Sequence, residues 1–216
     1  MSIRGKAYIV GAFEHPTRKA PDKSTAQLHA ECARGALADA GLELRDVDAY
    51  FCAGDAPGMG ALSMADYLGL KLKHVDSTDT GGSSYLVHVA HAAQAVAAGK
   101  CRVALITLAG RPRSEARTPL AANVPEVPFE AAYGVLTLNM YAMVAARHMH
   151  EFGTTPEQLA WVKVAMSHHA QHNPHAMLRD VVSVADVLAS PRVADPLHKL
   201  DCCVVSDGGG ALIVTT

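Results

Sequence analysis

The sequence predicts an α/β fold with a mainly parallel sheet. Short apolar runs alternate with longer segments of helical periodicity over residues 1–110, and a further apolar run closes the chain. A strand, a helix and the next strand usually connect as a right-handed crossover, so neighbouring strands are expected to run parallel.

Four strands and three helices are predicted before residue 110. The strands are expected at Lys6–Phe13, Val47–Ala53, Lys73–Ser77 and Arg102–Ala109. The helices are expected at Ser24–Ala40, Leu62–Leu70 and Gly81–Ala98. A serine opens the first helix, and glycines follow the first and third helices, which is the usual pattern of helix caps.

The character of the chain changes after Gly110. Prolines and arginines are frequent in Arg111–Pro128, which predicts a long excursion outside the sheet. Helical periodicity then resumes at Val135–Phe152 and Pro156–His172. This part of the chain is therefore expected to add helices and loops rather than further parallel strands.

The last predicted element is a strand at Ala211–Thr216. Gly208–Gly210 is expected to form the turn that leads into it, and the strand is expected at an edge of the sheet. The predicted domains are an α/β core of residues 1–110 and 200–216, with a helical and loop insertion at 111–199.

Composition excludes several classes of protein. The chain has 216 residues, a formal net charge of −2, 50% hydrophobic residues and 19% charged residues. This near-neutral charge argues against nucleic-acid binding, and the amino terminus resembles neither a signal peptide nor a membrane anchor. The five cysteines lack metal-site spacing, so we expect reduced thiols in a cytoplasmic protein with no membrane insertion.

The helix predicted at Gly81–Ala98 is the most informative segment. No charged residue occurs between Thr80 and Gly99. A surface helix normally carries a charged stripe, so this helix is predicted to be buried on nearly all sides. One sheet covers only one face of a helix, and the sequence therefore indicates half of a sandwich whose other half comes from elsewhere.

The amino-terminal end of this helix is a candidate binding site. Gly81, Gly82, Ser83 and Ser84 would present free N–H groups to a thioester carbonyl or an anion. The two serines could equally serve only as helix caps. His88 and His91 follow on the line of Ser84, where His88 is a candidate proton carrier or a neutral buried histidine.

Three arginines form a second candidate site. Arg111, Arg113 and Arg117 follow the fourth predicted strand, at the end of the sheet where α/β proteins bind ligands. They could bind the phosphates of coenzyme A or lie in a solvated loop. His168 and His172 have the spacing of a metal-binding pair, but no nearby carboxylate or cysteine completes a site, so no metal is expected.

Several segments resemble the thiolase superfamily, in particular its sterol-carrier and lipid-transfer-protein branch. They occur in family order and read IVGAFEHPTRK, DAGLELRDVDAYFCAG, DSTDTGGSSYLVHVAHAAQAVAAGKCRVALI, FGTTPEQLAWVKVAMSHHAQHNP and VADPLHKLDCCVVSDGGGALIV. The resemblance implies the amino-terminal half of a thiolase-like protein. Its fold would be a mixed five-stranded sheet with helices on both faces, within a layered αβαβα sandwich.

The resemblance also implies a chemistry and its limits. Thiolase-like enzymes act on the carbon–carbon bond next to an acyl-CoA thioester, with the thioester as substrate and no covalently bound cofactor. Gly82 occupies the position of the family's nucleophilic cysteine, which favours an aldolase or lyase on sterol or lipid acyl-CoA over a thiolase. The catalytic residues stay unassigned, and a non-catalytic acyl-CoA or lipid carrier or scaffold is the alternative.

Partners are implied by the same resemblance. A carboxy-terminal thiolase half, on the same or a separate chain, would complete the active site. Family members are usually homodimers or larger assemblies, and some work with a small OB-fold protein. Replacement of the lost nucleophile by Cys101 or Cys202 is a further option, although no acylated cysteine is expected.

Overall fold

The computed structural model describes residues 3–54, 56–115, 127–134 and 136–216. Its strands, in chain order, are β1 Tyr8–Glu14, β2 Ala49–Phe51, β3 His74–Asp76, β4 Val103–Gly110, β5 Arg192–Ala194, β6 Leu197–His198 and β7 Gly208–Thr215. Its helices are α1 Thr25–Ala40, α2 Ala61–Tyr67, α3 Ser84–Ala97, α4 Pro112–Glu115, α5 Val127–Glu130, α6 Thr137–Phe152, α7 Pro156–Ala170 and α8 Val184–Ala189.

The chain divides into two units. The first, Met1–Glu115 with Ser206–Thr216, contains the five strands β1, β2, β3, β4 and β7. The second, Ala116–Val205, contains α5 to α8 and the β5–β6 pair. The first unit is an α/β layer structure, and the second is mainly helical.

The first unit is built on a mixed five-stranded sheet in the order β1-β7-β4-β2-β3. Strands β4, β2 and β3 are parallel, whereas β7 is antiparallel to both β1 and β4. The predicted mixed five-stranded sheet is confirmed. The predicted position of the last strand is wrong, because β7 lies between β1 and β4 and forms ladders on both sides instead of an edge.

The glycine run before this last strand is also placed differently from the prediction. Gly208–Gly210 belongs to β7, and Gly209 pairs with Ala109 of β4. A Cβ at position 209 would lie 2.4 Å from the carbonyl oxygen of Leu108. Glycine therefore lets β7 approach β4 closely where a side chain would clash, and the run is strand rather than turn.

Helices cover both faces of the sheet. On one face, α1 and α2 bury residues such as Tyr50 and Leu105. On the other face, α3 packs on Phe51 and Ile106. Alternate residues of β4 thus point to opposite cores, as the pleat of a strand requires. The predicted two-sided covering is confirmed.

Local sequence signals set the ends of α1. Ser24 accepts a hydrogen bond from the Gln27 N–H, and the Gln27 side chain accepts one from the Ser24 N–H. Gly41 ends the helix in the left-handed conformation, with φ of 67°. These are a capping box and a glycine cap, and they explain why the predicted boundaries agree with the observed ones.

Helix α3 has one buried face and one open face in this chain. Its inward residues, which pack against the sheet or the turn before the helix, are Ser84, His88, Ala92, Ala95 and Val96. On the opposite face Leu86 is 76% exposed. The sheet thus covers one side of the helix, as expected for one sheet, and the predicted covering of the other sides by a second half stays a prediction.

The second unit has a small core of its own. Ala160 and Val164 of α7 pack against Val187 of α8. Thr155 and Gln158 form a capping box at the start of α7, as Ser24 and Gln27 do for α1. Among the described residues, no helix combines the length and apolar character needed to cross a membrane.

A buried carboxylate fixes the start of β7. Asp207 is 1% exposed and accepts hydrogen bonds from the N–H groups of Ala20, Arg113 and Ser114, at 2.8, 2.9 and 3.1 Å. The Ser114 hydroxyl donates a further bond to it. Burial raises the pKa of Asp207, but these hydrogen bonds lower it more, so the pKa lies below its ordinary value.

We predict that Asp207→Asn destabilises the first unit while preserving side-chain volume. Several charge-assisted hydrogen bonds weaken together, so the free energy of unfolding should fall by about 2 kcal/mol at neutral pH. Urea unfolding monitored by circular dichroism measures this change. An unchanged urea midpoint would contradict the importance of this carboxylate.

The same variant should change the pH dependence of stability. Because the pKa of Asp207 is lowered in the folded state, its stabilisation is present above the unfolded-state pKa and is lost as pH falls through the folded-state value. The native chain should therefore lose more stability than Asp207→Asn on acidification. Equal acid sensitivity of the two proteins would rule out this contribution.

Candidate active site

The candidate site lies at one edge of the sheet in the first unit. Strands β2, β3 and β4 are parallel, so their carboxyl ends share this edge. The chain leaves β3 at Asp76 and enters α3 at Ser84, and it leaves β4 at Gly110 just before Arg111. Topology therefore brings the predicted helix site and two of the predicted arginines to the same edge.

The helix tip, defined as Gly81, Gly82, Ser83 and Ser84, is open to solvent at its first three residues. Gly82 does not adopt the left-handed conformation, and a Cβ built on it would meet no atom within 4 Å. Packing within this chain therefore does not require glycine at position 82. The space beside it is open to a ligand.

The two serines of the helix tip have different environments. Ser83 is exposed, and its side chain makes no capping hydrogen bond. Ser84 is buried, and its hydroxyl accepts a 2.8 Å bond from the Thr80 N–H and donates a 2.6 Å bond to the Gly81 carbonyl. Ser84 therefore stabilises the turn before α3, whereas Ser83 is accessible to a ligand.

Two acidic residues also shape this turn, a role that the sequence did not predict for them. The Asp79 carboxylate accepts a 3.0 Å hydrogen bond from the Gly81 N–H. The Asp76 carboxylate accepts bonds from the Thr78 N–H and hydroxyl, at 3.0 and 2.7 Å. An Asp followed two residues later by a bonded N–H is a turn signal that the sequence DSTDTG contains twice.

The histidines of α3 face this turn. His88 is fully buried, its Nε2 lies 2.9 Å from the Thr78 carbonyl oxygen, and its Nδ1 has no hydrogen-bond partner among the described residues. His91 Nδ1 lies 2.5 Å from Asp76 Oδ2. Burial raises the pKa of Asp76, but hydrogen bonds from Thr78 and His91 lower it by more. The pKa of Asp76 therefore lies below its ordinary value.

Two of the three candidate arginines, Arg111 and Arg113, lie within the described residues. The Arg111 side chain is largely buried, its Nε has no hydrogen-bond partner among the described residues, and one guanidinium nitrogen lies 4.0 Å from Glu115. Arg113 is exposed, and its N–H is bound by Asp207. Arg117 lies outside the described residues. Asp207 thus anchors the backbone beside Arg111, which the sequence analysis did not foresee.

Cys101 and Cys202, the candidate replacement nucleophiles, lie in environments that disfavour the thiolate. Cys32, Cys52 and Cys101 are buried, and none of the five cysteines forms a disulfide. Burial raises the pKa of Cys101 and of Cys202, and it raises the pKa of Cys32 to about 12. A raised thiol pKa reduces the fraction of reactive thiolate, so Cys101 and Cys202 are poorly suited to form an acyl-enzyme.

The second unit contains an apolar cavity of about 690 Å³. Leu138 and Tyr141 of α6, Leu197 of β6 and the segment Cys202–Val205 contribute to its wall. Its polar lining includes Lys199 and Asp201. Among the described residues, no group of three or more histidine, cysteine or acidic side chains is arranged to hold a metal ion, and His168 and His172 are exposed on or just beyond α7.

No family model matches the chain. Comparison with individual proteins does find similar ones. The chain is 35% identical over 226 residues to a steroid side-chain-cleaving aldolase of Thermomonospora curvata, covering 99% of this chain and 58% of the aldolase. It is 32% identical over 213 residues to an acetyl-CoA acetyltransferase of Methanothermobacter thermautotrophicus, covering 95% of this chain and 56% of the acetyltransferase.

Solved structures show the same relationship. An Ltp2-ChsH2(DUF35) aldolase superposes with a TM-score of 0.85 and 33% identity, covering 99% of this chain and 56% of the aldolase chain. The chain thus spans little more than half the length of the relatives it matches. Fold, motif order and sequence similarity agree, and the chain belongs to the thiolase superfamily, in its sterol-carrier and lipid-transfer-protein branch.

Proposed function

We propose that this chain is part of an acyl-CoA aldolase or lyase that cleaves the carbon–carbon bond next to a CoA thioester. The observation that carries the proposal is the open helix tip with Gly82 at the position of the thiolase nucleophile. Glycine cannot form an acyl-enzyme, yet the N–H groups at the start of α3 can bind a developing oxyanion. The related steroid side-chain-cleaving aldolase supports the same reaction class.

The reaction is a retro-aldol cleavage of a β-hydroxyacyl-CoA. A base removes the proton of the β-hydroxyl group, and the Cα–Cβ bond breaks to form a ketone or an aldehyde. The electron pair of that bond passes to the thioester, which becomes an enolate. Protonation of the enolate at Cα gives the shortened acyl-CoA, so no covalent intermediate and no external oxidant are needed.

Residues of this chain would bind and orient the substrate. The N–H groups of Gly82 and Ser83 would donate to the thioester oxygen as it gains charge, near the positive end of the helix dipole. Arg111, Arg113 and Arg117 would bind the CoA phosphates. The burial of His88 and its contact with a backbone carbonyl favour an indirect role over the proton-carrier role, and we leave the base unassigned.

The open face of α3 supports a partner. Leu86, Ala90, Ala93 and Ala97 follow one another on this side at helical spacing, and Leu86 and Ala90 are exposed. Small residues allow another helix to approach closely. We propose that a carboxy-terminal thiolase half covers this face, on the same or a separate chain, and contributes the missing catalytic groups.

Four finer features belong to the same proposal. The apolar cavity of the second unit falls within the range of about 300–1,000 Å³ typical of small-molecule sites, and its lining suits an apolar ligand. A homodimer, an OB-fold partner and a cytoplasmic location are further parts of the proposal. The absence of disulfides among the five cysteines supports that location, and the name of the Ltp2-ChsH2(DUF35) aldolase supports a second protein.

The decisive experiment assays the complete assembly, formed by this chain and its carboxy-terminal half, with a β-hydroxyacyl-CoA that carries a steroid side chain. Mass spectrometry should detect the ketone or aldehyde together with the shortened acyl-CoA. The same assembly should not cleave a β-ketoacyl-CoA in the presence of free CoA. Binding of acyl-CoA without turnover would favour the carrier or scaffold alternative, and CoA-dependent thiolysis would contradict the proposal.

We predict that Gly82→Val lowers cleavage without disrupting the fold. The backbone at position 82 accepts a side chain, but the valine would occupy the space proposed for the thioester, so kcat/KM should fall at least about 10-fold. Steady-state kinetics of the complete assembly measures the change. Ala98→Val, at the opposite end of the helix, is the matched control and should retain activity; an active Gly82→Val protein would contradict this placement of the substrate.

We also predict that Leu86→Asp prevents association with the carboxy-terminal half. Leu86 is 76% exposed, so the chain should fold, but a carboxylate buried in the assembly should weaken binding by roughly 100-fold. Titration calorimetry with the isolated carboxy-terminal half measures this effect. If that half is a separate chain, copurification measures it as well. Leu62→Asp on α2, where the leucine is 62% exposed, is the control. Unchanged affinity of Leu86→Asp would place the partner elsewhere.

A further inference from the structure

Two histidines of α3 hold the turn that precedes their own helix. His88 Nε2 lies 2.9 Å from the Thr78 carbonyl oxygen, and His91 Nδ1 lies 2.5 Å from Asp76 Oδ2. Asp76 is the last residue of β3, and its other oxygen binds Thr78. The end of the strand and the first part of the turn are therefore both attached to the helix interior.

Packing fixes the ring of His88. A carbonyl oxygen can only accept a hydrogen bond, so Nε2 carries the hydrogen that is donated to Thr78. The ring contacts Tyr85 in an edge-to-face arrangement with centroids 5.7 Å apart, and it lies 6.1 Å from the ring of Phe51. His88 has no exposed surface and one hydrogen bond within the part of the chain that the structure describes, so its ring is a fixed donor directed at the turn.

The hydrogen bonds continue from this point to the helix tip. After Thr78, the Asp79 carboxylate binds the Gly81 N–H at 3.0 Å. Ser84 joins Thr80 to the Gly81 carbonyl through its hydroxyl group. A displacement of Thr78 would therefore be transmitted to Gly81, the residue next to Gly82.

We propose that His88 and His91 are positioning residues for the helix tip. They hold the turn from Asp76 to Gly81 so that the N–H groups of Gly82 and Ser83 point at the thioester oxygen. This inference rests on the proposed function, because it is the developing enolate that requires donors in fixed positions. Neither histidine touches the substrate. Each acts through the backbone of the turn.

A purely structural role would have a different signature. Loss of packing in α3 lowers stability wherever it occurs along the helix, whereas loss of donor alignment lowers kcat and leaves KM largely unchanged. Loss of donor alignment also changes the hydrogen-exchange rates of the turn amides in the absence of any ligand. Kinetics and amide measurements together therefore separate the two roles.

The test uses His88→Phe and His88→Gln in the complete assembly. Phenylalanine keeps an aromatic ring but removes the donor, so kcat should fall roughly 10- to 100-fold with KM within a few-fold of the unmodified value. Glutamine retains an N–H donor and should restore a measurable part of kcat. Val96→Ala, at a buried position near the other end of α3, is the matched control and should lower stability without a selective loss of kcat.

A ligand-free measurement keeps the inference testable if the assembly proves inactive. Amide hydrogen exchange of the unmodified and variant proteins should show faster exchange at Thr80 and Gly81 in His88→Phe, with no such change in Val96→Ala. His91→Gln, at a partly exposed position, provides a second variant if His88→Phe fails to fold, and should accelerate the same amides to a smaller extent.

The outcomes distinguish the two proposals. An unmodified assembly without cleavage activity contradicts the proposed function, while faster exchange in the turn of the variants would still show that the histidines position it. Unchanged exchange at Thr80 and Gly81 in the histidine variants would overturn the inference. Unchanged kcat in His88→Phe, or no advantage of His88→Gln over His88→Phe, would also overturn it.

Discussion

Strand β7 holds the sheet of the first unit together. It lies antiparallel between β1 and β4, and residues such as Ile213 and Leu212 pair with both neighbours. Without β7, β1 would lose its ladder to the other strands. Gly209 permits the close approach to β4, and Asp207 binds Ala20, Arg113 and Ser114 immediately before the strand begins. The position of β7 therefore also fixes the backbone beside Arg111, at the edge that carries the candidate site.

Helix α3 connects the sheet to that site. Its inward face buries alanines, a valine and His88, while its outward face presents Leu86 and small residues. The inner face anchors the helix, so its amino terminus is held at the edge where β2, β3 and β4 end. The outer face is apolar, and the sheet does not cover it. This uncovered apolar surface is the physical reason to expect a carboxy-terminal thiolase half. One helix thus carries both the candidate ligand site and the candidate interface.

Sequence reasoning proposed the helix tip as a candidate site but did not describe its supports. The glycine and serine pattern indicated the tip, and the absence of a cysteine between Cys52 and Cys101 argued against a cysteine nucleophile there. Asp76 and Asp79 were missed, although each begins a short turn. Ser83 and Ser84 could not be distinguished by sequence, because adjacent residues at a helix start can point into the turn or into solvent. The structure buries one and exposes the other.

The sequence by itself determined β1 to β4, α1 to α3, the ends of α1, the family and the lack of a nucleophilic side chain at Gly82. These properties depend on short-range periodicity, on caps and on residue identity at a motif position. Tertiary structure alone decided that β7 lies inside the sheet and that the glycines Gly208–Gly210 form strand. Each of these depends on contacts between residues far apart in the chain, such as the bond from Ala20 to Asp207, and no local pattern encodes such a pairing.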